Sequence, residues 1–289
     1  MSFLSSRHSA LTLARQSQRY QELVFRFIHR APLVLHEETQ QKTHSDSECD
    51  NGDVSFDSVF ASNHIPTSLF QRVFLSIGSA GISITDPSRG DMIATLGETT
   101  GSCALQMMLQ TMENDEEGRK ILSERPRLTS KTINLSKLKS MPEGTLGRAY
   151  SNFLTVNNVS PDSRATTQFV DDVELAYVMQ RYREMHDLIH TILQMRTNML
   201  GEVTVKWVEA IQTKLPMCVG GALFGSIRLS KKQRQKYISE YLPWAIRTGW
   251  ESKFLLNLYF EKRWDQTLEE LQKEMNIVPL EIEKGTYVK

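Results

Sequence analysis

Two histidines, His186 and His190, stand one helical turn apart in the octet REMHDLIH, in a chain of 289 residues that has seven histidines in all. On a helix, side chains at positions i and i+4 lie on the same face. Two imidazoles so placed can bind one divalent metal ion, as in H-E-x-x-H helices. The spacing alone is equally consistent with two histidines that form hydrogen bonds inside a core.

Two carboxylates accompany this pair. Asp187 directly follows His186 and is one methylene shorter than the glutamate at that position of the protease motif, so it is better placed to bind a metal than to act as a general base. Glu202 follows Gly201, which can turn the chain, so it can return from the next helix as a further ligand. Two imidazoles and two carboxylates suit Zn²⁺ and are also compatible with Fe²⁺ or Mn²⁺.

Arg183 precedes His186 by one turn on the same face. Its guanidinium can hold the carboxylate of a substrate, or it can form an ion pair with Asp172 or Glu202. A rival interpretation, an HD-type phosphohydrolase, needs a further histidine upstream. His64 is the only upstream candidate outside the N-terminal segments, which disfavours that class of enzyme.

One helix over residues 169–195 must position these side chains. At about 100° per residue, one narrow stripe of this helix carries Arg183 and both histidines, and much of the remaining circumference is apolar, so we expect the helix to be mostly surrounded by protein. The stripe consists of Asp172, Ala176, Met179, Arg183, His186 and His190. From His64 onward the apolar spacing is mostly helical, and proline-containing breakers punctuate it. We therefore predict an all-α fold with a single helical domain.

The N-terminal segments differ in charge. Residues 1–35 carry five arginines against one acid, together with serines and apolar residues, which is typical of a mitochondrial transit peptide; a basic amphipathic surface helix is the alternative. Residues 36–60 carry seven acids against one lysine and few apolar groups, which is typical of a disordered linker. We expect an all-helical metal-binding domain at residues 61–280 and a C-terminal tail at 281–289.

The overall charge and the cysteines restrict the function. With 34 basic and 34 acidic residues the net charge is zero, which disfavours a nucleic acid as the main partner. The three cysteines are far apart and form no C-x-x-C, so neither a disulfide framework nor a cysteine zinc site is indicated. No G-x-G-x-x-G, P-loop or G-x-S-x-G motif is present.

A basic segment at residues 228–236 contains five cations and no acid. Ser230 and Gln233 have the spacing of a capping box, which places these cations at the start of a helix, where they oppose the helix dipole. Helix stability therefore does not explain them. We predict that they contact an anionic membrane surface, with the apolar run Leu215–Ile227 entering the interface; a solvated basic face is the alternative.

The octet and its surroundings resemble a known family. HDLIHTILQMRTNMLGE (186–202) is similar to the H-D-x-x-H-x11-E signature of the mitochondrial ubiquinone (coenzyme Q) biosynthesis proteins described as 4-hydroxy-3-methoxy-5-polyprenylbenzoate decarboxylases. The resemblance spans residues 64–275, and departures fall at Gln194, Arg196 and Lys214, where the family pattern has Gly, Pro and Gly. Further matching blocks are GTLGRAY (144–150), SPDSR (160–164), FVDDVELAYVMQRYRE (169–184), GEVTVKWVEAIQT (201–213), LPMCVGGALFG (215–225) and LNLYFEKRWDQ (256–266).

The resemblance implies that His186, Asp187, His190 and Glu202 are zinc ligands. It implies a lyase that converts 4-hydroxy-3-methoxy-5-(all-trans-polyprenyl)benzoate to 2-methoxy-6-(all-trans-polyprenyl)phenol. It further implies a peripheral position on the matrix face of the mitochondrial inner membrane and a complex with other ubiquinone enzymes that the protein helps to organise; a homodimer is left open. The alternative is a non-catalytic scaffold that binds prenylated intermediates and uses its metal for structure.

Overall fold

The computed structural model describes residues 55–86 and 89–288. Within them the repetitive structure is helical, with one isolated β-bridge between Thr145 and Thr267, so the predicted all-α fold is confirmed. The predicted transit peptide, and the part of the linker before residue 55, lie outside the described residues. None of the helices in the described ranges combines the length and the apolar character that crossing a bilayer requires.

The α-helices are joined by connections of varied length, several of which contain short 3₁₀ turns. A π-helical turn, Tyr237–Tyr241, links the eleventh to the twelfth. Their bounds are α1 Phe56–Asn63, α2 Leu69–Thr85, α3 Gly90–Thr100, α4 Ser102–Glu113, α5 Glu116–Glu124, α6 Leu135–Ser140, α7 Leu146–Asn157, α8 Val173–Ile192, α9 Met199–Thr213, α10 Pro216–Gly225, α11 Lys231–Lys236, α12 Leu242–Glu251 and α13 Leu268–Glu274.

Helix α1 begins inside the predicted linker. Ser55 caps it by accepting a hydrogen bond from the Ser58 N–H, and Phe56 and Phe60 are buried. The Phe56 ring packs edge-on against Tyr177 at 5.3 Å between centroids. The linker prediction is therefore wrong for residues 55–60, because two aromatic side chains one turn apart supply an apolar face that the count of acids overlooked.

The C-terminal segment is part of the same domain. Tyr287 is buried, and its ring lies 5.1 Å from that of Phe153. Glu283 is also buried, and its carboxylate accepts a hydrogen bond of 2.6 Å from the Tyr241 hydroxyl. Residues 281–288 therefore complete the domain, and the predicted boundary of a tail at residue 281 is wrong because these side chains have partners on helices far away in sequence.

Helix α8 runs through the interior, and nearly its whole circumference is buried, as its sequence predicts. It begins after Asp172, whose side chain accepts a hydrogen bond of 3.0 Å from the Leu175 N–H. Asp172 therefore caps the helix. Helices α4 and α7 pack against α8, and α9 packs against α4, α10 and α12.

The connection from α8 to α9 is tight. Gln194 has φ of 54°, in the left-handed region that favours glycine, and its side-chain oxygen accepts a hydrogen bond from the Gly285 N–H. At the start of α9, Asn198 caps the helix by accepting a bond of 3.0 Å from the Gly201 N–H. A Cβ at Gly201 would lie 1.8 Å from the Arg196 carbonyl oxygen, so only glycine fits there. This turn brings the first residues of α9 back beside the end of α8.

Candidate metal centre

Three of the four predicted ligands meet where α9 lies beside α8. Nε2 of His186 lies 3.6 Å from Oε2 of Glu202, and Nε2 of His190 lies 3.4 Å from Oε1 of the same carboxylate. Their ligand atoms all lie within 4.8 Å of one another. In the part of the chain that the structure describes, no other three histidine, cysteine or acidic side chains come together in this way. One divalent ion could contact all three.

Each histidine is held by its other ring nitrogen. Nδ1 of His186 lies 2.7 Å from Oε1 of Glu209, and Nδ1 of His190 lies 2.9 Å from the Met195 carbonyl oxygen. A carbonyl oxygen only accepts, so Nδ1 of His190 carries a proton; in the neutral imidazole that binds a metal, Nε2 then presents the lone pair. Hydrogen bonds of this kind, to a carboxylate or a carbonyl, are those that orient metal-binding histidines.

The chemistry of this donor set fits a metal ion. Nε2 of His190 is buried and has no hydrogen-bond partner. Buried polar atoms are nearly always satisfied, so an atom in this state calls for a further ligand. Two imidazole nitrogens and a carboxylate suit Zn²⁺ and leave a coordination position for a fourth ligand or a substrate.

The carboxylates at the centre are ionised at neutral pH. Burial raises the pKa of Glu202, but the neighbouring His190 and His186 lower it more strongly, and the resulting pKa lies well below the usual range. Burial likewise opposes the ionisation of Glu209, while Lys206 and His186 lower its pKa far more. Both groups are therefore available as anions, the form that binds a divalent cation.

Glu209 joins a buried polar network behind His186 that the sequence analysis missed. Its Oε2 accepts hydrogen bonds of 2.6 Å from Lys206 Nζ and 2.9 Å from the Tyr182 hydroxyl. Burial raises the pKa of the adjacent Cys218 thiol to about 12, so the thiol stays neutral. The sequence contains a local signal for Glu209, because Glu202, Lys206 and Glu209 fall on one face of α9 at i, i+4 and i+7.

Asp187 lies outside the group of three. Its Oδ1 accepts a hydrogen bond of 2.7 Å from Nη2 of Arg164, and its side chain is buried. Nε of Arg164 is buried and has no hydrogen-bond partner. The structure thus brings Arg164, the last residue of the SPDSR block, to the edge of the site. Asp187 stays a predicted ligand.

Arg183 forms an ion pair with a residue that the sequence did not indicate. Its Nη1 donates a hydrogen bond of 2.7 Å to Oε1 of Glu98 on α3. Oε2 of Glu98 accepts bonds of 2.8 Å from the N–H groups of Gln168 and Phe169. The predicted partners Asp172 and Glu202 are therefore wrong, since the true partner lies on a helix that local periodicity cannot place.

The fold and this site define an all-helical domain with a candidate metal centre, whose ligands would come from α8 and α9. The chain belongs to the family described as "Coenzyme Q (ubiquinone) biosynthesis protein Coq4", whose model matches residues 61–281. The resemblance inferred from the sequence is thus confirmed, and the chain has a role in ubiquinone biosynthesis.

Curated relatives are similar over most of the chain. A protein of Bombyx mori named "Ubiquinone biosynthesis protein COQ4 homolog, mitochondrial" is 56% identical over 231 residues, which are 80% of this chain and 89% of that protein. The Homo sapiens protein of the same name is 54% identical over 216 residues, 75% of this chain and 82% of that protein. A crystal structure from Nostoc punctiforme shares the fold alone, with 20% identity and a TM-score of 0.55 over 71% of this chain and 95% of that one.

Proposed function

We propose that this chain is a zinc-dependent carboxy-lyase of ubiquinone biosynthesis. Its substrate would be 4-hydroxy-3-methoxy-5-(all-trans-polyprenyl)benzoate and its product 2-methoxy-6-(all-trans-polyprenyl)phenol. The observation that carries this proposal is the buried Nε2 of His190, which has no hydrogen-bond partner and lies 3.4 Å from a carboxylate oxygen of Glu202. The family's role in ubiquinone biosynthesis supports the class of substrate.

The reaction exchanges a carboxylate for a proton on one ring carbon. The hydroxyl oxygen in the para position supplies electrons while a proton adds to the carbon that bears the carboxylate. The bond to the carboxylate then breaks, its electron pair returns to the ring, and carbon dioxide leaves. A divalent ion held by His186, His190 and Glu202, with Asp187 as the predicted fourth ligand, supplies Lewis acidity when bound; Zn²⁺ suits the set, and Fe²⁺ or Mn²⁺ are alternatives.

Two arginines are candidates for holding the substrate carboxylate. Arg183 was the choice from sequence, but one of its N–H groups is committed to the buried Glu98. Arg164 donates through Nη2 to Asp187, while its Nε has no hydrogen-bond partner. A guanidinium has five N–H donors, so either arginine retains donors for a carboxylate. Replacing each by methionine separates them, because loss of the arginine that binds substrate should raise KM in the variant that remains folded, whereas loss of the other should affect only stability.

The proposal can be tested with purified full-length protein, loaded with zinc and given prenylated substrate that is labelled at the carboxyl carbon. Release of labelled carbon dioxide is expected, and His190→Ala should abolish it while circular dichroism shows an intact fold. His64→Ala is the matched control, since His64 lies outside the metal group. A protein that binds the substrate without releasing carbon dioxide, and that unfolds when zinc is removed, would support the scaffold with a structural metal instead.

We also propose that the protein acts at the matrix face of the mitochondrial inner membrane as a peripheral protein, in a complex with other ubiquinone enzymes that it helps to organise. The names of its curated relatives, which include the word mitochondrial, support this compartment. The polyprenyl chain of the proposed substrate requires an apolar environment. Affinity purification from mitochondria, followed by mass spectrometry, should recover other ubiquinone enzymes; recovery of none would contradict this part.

A further inference from the structure

Helix α2 carries a face of large apolar side chains that no part of the described structure covers. Leu69, Phe70, Val73, Phe74 and Ile77 are 84%, 71%, 49%, 62% and 69% exposed. These residues follow the i, i+4 and i+7 spacing of one helix face. A contiguous apolar surface of this kind marks a site of contact with a protein or a membrane.

This face of α2 has no charged group to offer a protein partner. Arg72 is the only charged residue of the helix, and its guanidinium pairs with Asp171 on the adjoining segment. The rings of Phe70 and Phe74 pack against each other at 4.6 Å between centroids. Protein interfaces normally surround an apolar centre with polar groups that form hydrogen bonds. A surface of hydrocarbon alone is better matched by lipid.

The basic segment lies at the C-terminal end of α2. Arg228 donates a hydrogen bond to the Ile84 carbonyl oxygen in the last turn of the helix. The cations that follow, Lys231, Lys232, Arg234 and Lys236, are exposed. The positive charge thus begins at the C-terminal end of α2, about two turns beyond Ile77, and an apolar helix next to a basic segment is the arrangement that suits a bilayer with anionic headgroups.

Apolar residues also lie on both sides of the basic segment. Phe224 and Ile227 precede it, Ile238 follows it, and all three are exposed. The rest of the run Leu215–Ile227 is different, since Leu215 and Cys218 are fully buried. The prediction that this run enters the interface is therefore wrong for its buried residues, Leu215, Met217, Cys218 and Ala222, where the run packs on α9 and α3. The larger exposed apolar surface is on α2.

We infer that the apolar face of α2 and the basic segment 228–236 form one docking face for an anionic lipid bilayer. Helix α2 lies in the plane of the interface with its phenylalanines among the acyl chains, and the cations contact the headgroups. This inference rests on the proposed location at a membrane, and it is independent of the proposed reaction.

Flotation with vesicles tests both parts of the docking face. The full chain is mixed with vesicles of phosphatidylcholine, or of equal parts phosphatidylcholine and phosphatidylglycerol. Phe70→Ser/Phe74→Ser should lower the partition coefficient by about tenfold or more on both. Lys231→Gln/Lys232→Gln/Lys236→Gln should lower it on anionic vesicles only. Val278→Ser, at a side chain outside this face that is 70% exposed, is the matched control and should bind like wild type.

A reporter in the helix distinguishes insertion from other modes of binding. The tryptophan of Phe70→Trp should shift its emission to shorter wavelength on anionic vesicles and should be quenched by bromine on the acyl chains, relative to wild type. An emission that vesicles leave unchanged overturns the inference, as does wild-type binding by the serine variant. If the serine variant instead converts a dimer to a monomer without lipid, the face is an interface between copies and the inference is also overturned.

The same variants separate this inference from the proposed reaction. With substrate dissolved in detergent, Phe70→Ser/Phe74→Ser should release carbon dioxide as wild type does, because the metal ligands are untouched. If wild type releases none, the lyase proposal fails while the vesicle results still decide the docking face. If the wild type is active but does not bind vesicles, the docking face fails and the lyase stands.

Discussion

Glu184 and His190 are both buried on α8, and their polar atoms have different surroundings. Oε1 of Glu184 accepts hydrogen bonds of 2.8 Å from Arg127 and Gln180, and Oε2 accepts one of 2.9 Å from the Leu128 N–H. Nε2 of His190 is buried and forms no hydrogen bond of good geometry, although Oε1 of Glu202 lies 3.4 Å away. Because the protein pairs the first group completely and leaves the second open, Glu184 stabilises the fold and His190 is available to a ligand.

Helix α2 departs from the usual pattern in the opposite sense, since it exposes hydrocarbon that folding normally buries. At the centre a polar atom is buried without a partner, and at α2 apolar side chains are exposed without a cover. Both departures occur in regions to which we assign a contact outside the chain, a metal ion in one case and a bilayer in the other. Local violations of packing rules are expected at functional sites.

The largest expected effect comes from removing the His190 imidazole. His190→Ala should weaken zinc binding by more than about a hundredfold, which exceeds the usual loss on removing a group that only supports a ligand. The same substitution should have only a small effect on the thermal stability of the metal-free protein. Competition with a chromophoric chelator measures the affinity, and wild-type affinity in the variant would show that His190 is a core histidine.

Replacing Glu184, whose carboxylate is fully hydrogen-bonded, should have the reverse effect: it should lower stability and leave zinc binding unchanged. Glu184→Ala removes the acceptor of Arg127 and Gln180 and should lower the free energy of unfolding by about 3 kcal/mol, while the folded protein keeps its affinity for zinc. Urea denaturation of the metal-free protein measures the stability. Glu116→Ala is the control, because its ion pair with Lys120 is exposed and its loss should leave the stability nearly unchanged. A loss of zinc affinity in the folded Glu184 variant would contradict the distinction between Glu184 as a structural residue and His190 as a metal ligand.

Glu209 lies between these two cases, since it is fully paired yet contacts a predicted ligand. Glu209→Gln keeps an oxygen for Lys206 and Tyr182 but removes the charge that orients His186. The affinity for zinc should fall by about tenfold or more while the fold is preserved. Glu240→Gln, at an exposed acid, serves as the control. If the stability falls and the affinity does not, Glu209 belongs with Glu184 as a structural residue.

The smallest expected effect concerns the turn that ends α9. Lys214 has φ of 57°, a conformation that glycine adopts with less strain. Lys214→Gly should therefore raise the free energy of unfolding by about 1 kcal/mol and leave zinc affinity unchanged. Lys214→Ala keeps a Cβ and should give no such gain. An equal gain from alanine would mean that the lysine side chain, and not the backbone, is unfavourable.

Local patterns were enough to predict the parts of the site that lie on one helix. The spacing of His186 and His190 and the buried character of α8 follow from helical periodicity, and Gly201 indicated the turn that returns Glu202. Periodicity carries no information about which helices meet, so the pairing of Arg183 with Glu98, which is 85 residues away in the chain, could not be found.

The apolar surfaces show the same limit. The run Val73–Thr85 stands out in the sequence as long and uncharged, and so does Leu215–Ile227. Only packing decides that the first is largely exposed and that Leu215, Met217, Cys218 and Ala222 of the second are buried. The first helix was missed for a related reason, since the acids around Phe56 and Phe60 concealed a short amphipathic turn whose partner, Tyr177, lies far along the chain.

The central claim is that His186, His190 and Glu202 bind one metal ion, and anomalous diffraction tests it directly. Crystals of the full chain grown with zinc should show one strong peak at the zinc edge, within about 2.0–2.2 Å of Nε2 of both histidines and of a Glu202 oxygen. The same map shows whether an Asp187 oxygen completes the set or stays with Arg164. Zinc-loaded crystals that diffract well and show no peak between these side chains would contradict the account.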